Sequence, residues 1–194
     1  MTKVDFDKFC ICFVPDSDTL KVIGGMHTKI ASKYPELIRP GTGPGLPYHM
    51  TIIGGIKLEP NVSKSLIQNA VSQIMPFSDS NKIPILKDLE VAQMYGGYLA
   101  IRLKLEQYSY VITGSPEKNR GLASSLRVAN FNFDSIRHIS LCKVLGRYIE
   151  MDKVKIFFDE LFKGNKDALL NMKLTPKVFI MPANQKSWQL YPTR

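Results

Sequence analysis

Apolar and polar positions in the first part of the chain predict a strand followed by a helix. An apolar, β-rich run over residues 8–14 predicts the strand, and turn and capping residues that begin at Pro15 end it. Over residues 19–34 apolar side chains recur at helical spacing, although Gly24 and Gly25 weaken the predicted helix. Its apolar positions are Leu20, Ile23, Ile30 and Ala31.

A stiff loop and a second strand and helix come next. The loop covers residues 39–47, where three prolines and three glycines disfavour regular structure. The alternating segment 48–53 predicts a strand, and segment 61–76 predicts a helix with one apolar face.

The rest of the chain repeats this order loosely. The predicted strands cover residues 83–92, 97–105, 108–113, 136–144, 178–182 and 188–191, and the predicted helices cover residues 115–128 and the segment that Asp152 caps. Because the order recurs and no linker divides the chain, we expect one α+β domain over residues 1–194. Its two similar lobes would pack about a central groove.

Composition narrows the class of protein. The chain has 194 residues, 44% of them apolar, and no apolar run approaches the roughly 18 residues of a membrane span. The N-terminus lacks the apolar core of a signal peptide, and three cysteines are too few for a disulfide scaffold. We therefore expect a cytoplasmic monomer with no membrane partner.

The charge favours an anionic partner of small size. The formal net charge is +9, but the basic residues are scattered and form no block of five like charges. A scattered positive field suits a nucleotide or short oligonucleotide substrate better than duplex DNA.

Two of the three histidines lie in matching tripeptides. His49-Met50-Thr51 and His138-Ile139-Ser140 each fall on a predicted strand. Since residues i and i+2 of a strand point to the same face, each imidazole shares a face with a hydroxyl. His27 lacks this spacing because its hydroxyl neighbour, Thr28, is adjacent, so we expect His27 at the surface.

Such a pair suits acid–base cleavage of a phosphodiester. With an ordinary pKa near 6.5, one histidine is neutral and activates a hydroxyl or water, while the other is protonated and supplies a proton to the leaving oxygen. Thr51 and Ser140 would hold the non-bridging oxygens. The chemistry requires no metal and no cofactor, and the matching motifs do not say which histidine is the base.

These residues resemble the two-histidine (2H) phosphoesterases, which carry two His-x-Thr/Ser motifs on strands of two pseudo-symmetric lobes. The resemblance covers most of the chain and includes strand 98–105 and the closing segment 178–194. It implies that each lobe is an antiparallel sheet with helices on its outer side. It also implies metal-independent cleavage of a 2′-linked or cyclic nucleotide phosphodiester, with His49 and His138 as the catalytic pair and Thr51 and Ser140 as phosphate ligands.

The resemblance leaves several substrates open. Members of the family act on 2′,3′-cyclic phosphate RNA ends, 2′-5′ oligoadenylates, cyclic dinucleotides and oligouridine tails. Compact viral and phage members, which this chain resembles in size, degrade immune messengers such as 2′-5′ oligoadenylate or cyclic GMP-AMP, and we place this function first. RNA processing or repair at a 3′ end comes second. A non-catalytic RNA-binding module is the alternative of another class.

Four further residues are candidate substrate contacts. Tyr48 precedes the first motif and Tyr95 lies in a glycine-flanked turn, so either ring would stack on a base. Arg137 and Lys143 lie near the second motif and would meet phosphates. Arg137 also departs from the apolar residue that the family prefers there, so it is a place where substrate selection would differ.

Two other chemistries are disfavoured. The glycine-rich segment 41–45 is followed by a predicted strand and lacks the Gly-Lys-Ser/Thr of a nucleotide triphosphate loop. Cys142 continues the face of Ser140, but no further histidine activates its thiol, so we expect it to pack in the interior.

Overall fold

The computed structural model describes residues 6–57, 86–105, 138–182 and 185–191 of the chain. The strands of this part are β1 (Phe6–Pro15), β2 (Ile38–Pro40), β3 (Met50–Lys57), β4 (Leu86–Met94), β5 (Tyr98–Leu105), β6 (His138–Val144), β7 (Leu174–Pro182) and β8 (Gln189–Leu190). They form one eight-stranded sheet in the order β4-β5-β6-β3-β1-β7-β8, and β2 also pairs with β6. Every one of these strand pairs is antiparallel.

Across the described residues, the sheet consists of two half-sheets that meet at one residue pair. We call β3, β1, β7 and β8 the first half-sheet, and β2, β4, β5 and β6 the second half-sheet. Met50 of β3 lies opposite Ile139 of β6, and this is the pair that joins them. Both side chains are fully buried, with 0% of their surface exposed. The α+β class and the antiparallel sheets expected from the sequence are confirmed.

Two described helices pack against each other and cover one face of the sheet. The first, α1 (Ser17–Lys33), continues through Gly24 and Gly25. Asp16 caps its N-terminus by accepting hydrogen bonds from the backbone N–H of Asp18 at 3.2 Å and of Thr19 at 3.0 Å. The second, α2 (Tyr148–Leu170), connects β6 to β7.

The main core lies between these helices and the sheet. It contains the buried stripe of α1, namely Ile23, Met26 and Ile30, together with Val154 and Phe158 of α2. From the sheet it contains Phe13, Met50, Leu89, Ile101, Leu103 and Ile139. Burial of these apolar side chains fixes which face of each strand is turned towards the helices, and in β5 and β6 it leaves Arg102, Lys104, His138 and Ser140 on the other face.

Two predicted boundaries are corrected by the structure. The second helix begins at Tyr148 with Arg147 as its N-cap residue, so Asp152 lies inside it instead of capping it. Gly146, with a φ of +126°, supplies the reversal that lets the chain enter this helix directly after β6. Arg39 and Pro40, predicted as loop, belong to β2, where a proline is tolerated because the strand lies at an edge.

Several predictions fall outside the described residues. These are the helices over 61–76 and 115–128 and the strand over 108–113. The single-domain assignment and the central groove stay predictions.

Candidate active site

Strand alternation places the two motifs on the sheet face that α1 and α2 do not cover. In β6, Ile139 is buried while His138 and Ser140 are partly exposed. Met50 is buried in the same way, and His49 and Thr51 on either side of it are partly exposed. Each imidazole therefore shares a face with its hydroxyl, as the spacing predicts.

The junction of the half-sheets brings the two motifs together. Extending the Met50–Ile139 register by one residue sets His49 across from Ser140 and Thr51 across from His138. Directly opposite residues on antiparallel strands have Cα atoms roughly 4.5–5.5 Å apart. The two imidazoles and two hydroxyls therefore lie around one strand junction, although 88 residues separate the histidines along the chain.

Each motif is followed by a β-bulge at the same position. The pairing of β1 with β3 steps from Cys12–Thr51 to Ile11–Ile53, which makes the intervening residue of β3 an extra one. The pairing of β5 with β6 steps from Ala100–Ser140 to Leu99–Cys142 and leaves one extra residue there too. Bulges bend a strand and redirect its side chains, and they are frequent beside active sites. Their matching positions extend the pseudo-symmetry from the residue types to the backbone.

The loop before the first motif fixes the orientation of His49. Its Nδ1 lies 2.8 Å from the carbonyl oxygen of Pro47. Because a carbonyl only accepts, Nδ1 carries the proton in the neutral ring, and Nε2 is left with its lone pair. Burial lowers the pKa of His49, and the hydrogen bond to Pro47 opposes this shift only in part. His49 is therefore a neutral imidazole at pH 7, with a basic Nε2.

The second motif is closed by an internal hydrogen bond. The Nε2 atom of His138 lies 3.1 Å from the hydroxyl oxygen of Ser140. The hydroxyl donates to this nitrogen when the nitrogen is unprotonated and accepts from it when the ring is protonated. The Ser140 hydroxyl is therefore held next to the position that an oxygen approaching His138 Nε2 would take.

A small second core supports the site face beside Thr51. Cys10, Cys12, Val14 and Phe179 form it, with Leu46 and Trp188 packed against them. Trp188 donates its backbone N–H to the carbonyl of Pro44 at 2.8 Å, which ties the loop to the end of the chain. Gly45 has a φ of +81°, and a Cβ there would overlap the carbonyl oxygen of Trp188, so only glycine fits. The proline- and glycine-rich loop is thus a fixed support for His49.

His27 is less exposed than the sequence-based prediction of a surface residue implies. It is half-buried, and within the described part of the chain its Nε2 is buried with no hydrogen-bond partner. Its ring meets that of Tyr48 edge-on, with centroids 6.2 Å apart. Burial lowers the pKa of His27. The physical reason is its place beside Ile23, Met26 and Ile30 on the buried stripe of α1.

The four candidate substrate contacts lie in different parts of the chain and differ in exposure. Tyr48 is half-buried against the main core and the His27 side of α1, and burial raises the pKa of its phenol. Tyr95 is fully exposed in the β4–β5 turn, beside the end of β5 that pairs with Lys143. The described structure does not bring this turn to the motifs. Arg137 lies outside the described residues.

Lys143 lies at the far end of β6 from His138. It pairs with Arg39 on one side and with Tyr98 on the other. Its ammonium lies over the Tyr98 ring at 5.5 Å from the centroid, a cation–π contact. Five residues of strand, roughly 16 Å, separate it from His138. The structure therefore does not bring Lys143 or Tyr95 to the histidine pair.

The Cys142 thiol is inert at neutral pH. It is fully buried, and burial raises its pKa to about 12. The thiolate is the nucleophilic form of cysteine, so this thiol is not a nucleophile at pH 7. Cys10, Cys12 and Cys142 are all free and buried.

Arg102 is one of several basic residues near the motif-bearing strands that, from the sequence, could meet a phosphate, and the structure places it beside the second motif. Arg102 of β5 lies directly opposite His138 of β6. Nothing in the spacing of the sequence reveals this neighbour, because the register between two strands 36 residues apart is fixed only in the folded sheet. The alternation of Arg102 and Lys104 with Ile101 and Leu103 was the available signal that both cations share the polar face.

Two absences are limited to the described ranges. Across them, no three His, Cys, Asp or Glu side chains are grouped so that they could hold a metal ion. No helix among them is sufficiently long and apolar to span a membrane.

Comparison with known proteins gives distant structural matches only. No protein-family model matches the sequence, and no curated protein matches it significantly. Among solved structures, the chain is similar to Usb1 of Kluyveromyces marxianus, with 10% identity over 97% of this chain and 98% of that one and a TM-score of 0.44. It is also similar to Kluyveromyces marxianus Usb1 with uridine monophosphate, with 10% identity, 96% and 97% coverage and a TM-score of 0.41.

Proposed function

We propose that the protein is a metal-independent phosphodiesterase that cleaves a ribonucleotide phosphodiester beside a free ribose hydroxyl. The observation that carries this proposal is the meeting of the two histidine motifs at the Met50–Ile139 pair. Two imidazoles and two hydroxyls on one polar sheet face are the groups that acid–base phosphoryl transfer requires.

His49 is the general base in this proposal. The Pro47 carbonyl holds the proton on Nδ1, so the unprotonated Nε2 is the atom that accepts the proton of the attacking hydroxyl. Because burial lowers its pKa, the ring is in the neutral form that a base needs.

His138 is then the general acid. In an RNA linkage the 2′-hydroxyl loses its proton to His49, and its oxygen forms a bond to phosphorus. The bond from phosphorus to the 5′ oxygen breaks, and that oxygen takes a proton from the His138 imidazolium. The products are a 2′,3′-cyclic phosphate and a free 5′-hydroxyl, and the two rings have exchanged protonation states. Water acting through the reverse roles would open the cyclic phosphate.

Thr51 and Ser140 bind the non-bridging oxygens. Each hydroxyl shares a face with its histidine, and Ser140 is already held at 3.1 Å from His138 Nε2. Donors fixed before the reaction stabilise the charge that builds up on the phosphoryl group without any cost of reorganisation at that moment.

We place an RNA 3′ end first among the substrates and a 2′-5′ oligoadenylate or cyclic dinucleotide second. Both kinds carry a free hydroxyl next to the scissile phosphate, so the same four groups serve either. The immune-messenger assignment depended on compact size, and no described side chain favours it. A terminal RNA linkage requires no assumption about the source of the protein.

The test is a substrate panel in excess EDTA. ApA dinucleotides with 3′-5′ and 2′-5′ linkages and cyclic 2′,3′-linked dinucleotides are compared at equal concentration, and products are identified by mass. We expect cleavage with a cyclic phosphate product, and loss of activity in His49→Ala and His138→Ala that retain the wild-type melting temperature. Loss of activity in EDTA, or full activity in either variant, would overturn the mechanism. Salt-dependent RNA binding without any cleavage would favour the binding module instead.

A further inference from the structure

Arg102 is the cation that the sheet places beside the candidate acid. It lies directly opposite His138 in the β5–β6 register, so the two Cα atoms are roughly 4.5–5.5 Å apart. Opposite residues of an antiparallel pair project to the same face. Arg102 is exposed, whereas Ile101 and Leu103 on either side are buried against the helices. Its guanidinium therefore starts from the same polar surface as the imidazole.

The present partner of Arg102 is a weak one. Its guanidinium lies 3.2 Å from the carboxylate of Glu90, the residue opposite it on β4. Glu90 is shared, because Lys104 contacts its other oxygen at 3.0 Å. The side chains of Arg102 and Glu90 are 48% and 37% exposed, and exposed ion pairs of this kind contribute little to stability. A stronger anion can replace this carboxylate.

A phosphate is the anion that suits this position. A guanidinium can bind a phosphate through two parallel hydrogen bonds. Glu90 offers Arg102 one oxygen, because its other oxygen contacts Lys104. The next cation on the same face, Lys104, is already paired with Glu90 at 3.0 Å and Asp88 at 3.7 Å. The scissile phosphate already has two hydroxyl ligands in the proposed function.

We propose that Arg102 binds the phosphate next to the scissile one, so that the preferred substrate is an oligonucleotide with at least two phosphates. This inference rests on the proposed function for its account of the scissile phosphate. The strand of nucleic acid runs from the histidine pair across β5, and its phosphate displaces the Glu90 carboxylate from Arg102.

The kinetic test compares two ribonucleotides that differ by one phosphate. ApA has the scissile phosphate alone, and ApApA has one more. Arg102→Gln is expected to lower kcat/KM for ApApA about tenfold, the effect of one charge-assisted hydrogen bond, and to leave kcat/KM for ApA within about twofold. Arg39→Gln is the matched control. It makes the same charge change on β2, opposite Lys143 at the other end of β6, and should alter neither value.

A binding test separates this inference from the proposed function. The 2′-deoxy analogues of the same dimer and trimer lack the attacking hydroxyl, so their affinities are measured without cleavage. Wild-type protein should bind the trimer more tightly, Arg102→Gln should remove that advantage, and Glu90→Gln should increase it by freeing the guanidinium. This pattern supports the inference even if no ribonucleotide is cleaved. Equal affinity of the wild-type protein for both analogues, or an equal loss for both in Arg102→Gln, overturns it.

Discussion

Met50 and Ile139 lie opposite each other where the two half-sheets meet, and neither side chain is exposed to solvent. Each sits between the histidine and the hydroxyl of its own motif. One apolar pair on the core face therefore fixes the separation of four polar groups on the other face. The packing of the interior and the geometry of the candidate site are two sides of the same pair of strands.

This coupling predicts that Ile139→Ala impairs both stability and activity. Removal of a fully buried isoleucine side chain leaves a cavity and should lower the free energy of unfolding by about 2–5 kcal/mol, measured by urea denaturation. Ile149→Ala is the matched control, since Ile149 on α2 is 67% exposed and should change stability by less than about 0.5 kcal/mol. An Ile139→Ala protein as stable as that control would contradict the junction's structural role.

Gly41 should be essential for the shape of the second motif. A Cβ at this residue would lie 2.6 Å from the Leu141 carbonyl carbon, in the bulge that follows Ser140. Gly41→Ala must displace one of these backbones, and we expect kcat/KM to fall roughly 10- to 100-fold through misplacement of Ser140.

The control for this substitution is Gly25→Ala. In the interior of α1 the added methyl group would meet nothing within 4 Å. We expect a higher melting temperature, from a gain of about 0.5–1 kcal/mol, and unchanged kinetics. Equal kinetics in the two variants would show that the close approach at Gly41 does not shape the site.

Asp16 should be a stabilising link between the ends of the two helices. Besides capping α1, its Oδ2 accepts a hydrogen bond from the backbone N–H of Lys173 at 2.7 Å, just before β7. Asp16→Ala should lower the free energy of unfolding by about 1–2 kcal/mol at pH 7. Asp18→Ala, which removes an exposed carboxylate paired with Lys21, should cost less.

The stabilisation that Asp16 provides should also depend on pH. Hydrogen bonds from Thr19 and Lys173 lower the pKa of its carboxyl from 3.8 to about 2. Because the folded-state pKa is the lower one, the stabilisation is fully present above pH 3.8 and is lost as the pH falls towards 2. Denaturation curves of the wild type and Asp16→Ala should therefore converge in that range. A constant difference would contradict the ionised cap.

The pH–rate profile tests the assignment of His49 as the base. A base must be neutral, so kcat/KM falls as the pH drops through its pKa. Burial holds the pKa of His49 below its usual value, so the midpoint of this acidic limb should lie below 6.5. A midpoint above 6.5 would contradict the role, and would favour His138 as the base.

Features that depend on local spacing could be predicted from the sequence, whereas features that depend on the register between distant strands could not. Capping residues before the first helix and the His-x-hydroxyl spacing are local patterns, and both led to the observed geometry. The exposure of His27 was overestimated, because a polar residue does not reveal that it shares the buried face of α1 with Ile23 and Met26. The neighbour of His138 could not be predicted, since a strand register is settled by packing and bulges in the assembled sheet.

The first half-sheet joins the opposite parts of the chain, because β1 pairs with β7 along most of its length, as in Val14 opposite Thr175. Strand β3, which follows His49, pairs with β1. Strand β1 in turn pairs with β7, which is synthesised about 160 residues later. The β4–β5 hairpin, in contrast, forms from adjacent sequence. Contacts of such long range slow folding, so the site should assemble late, after synthesis has passed β7, and be among the first features lost when that strand is removed.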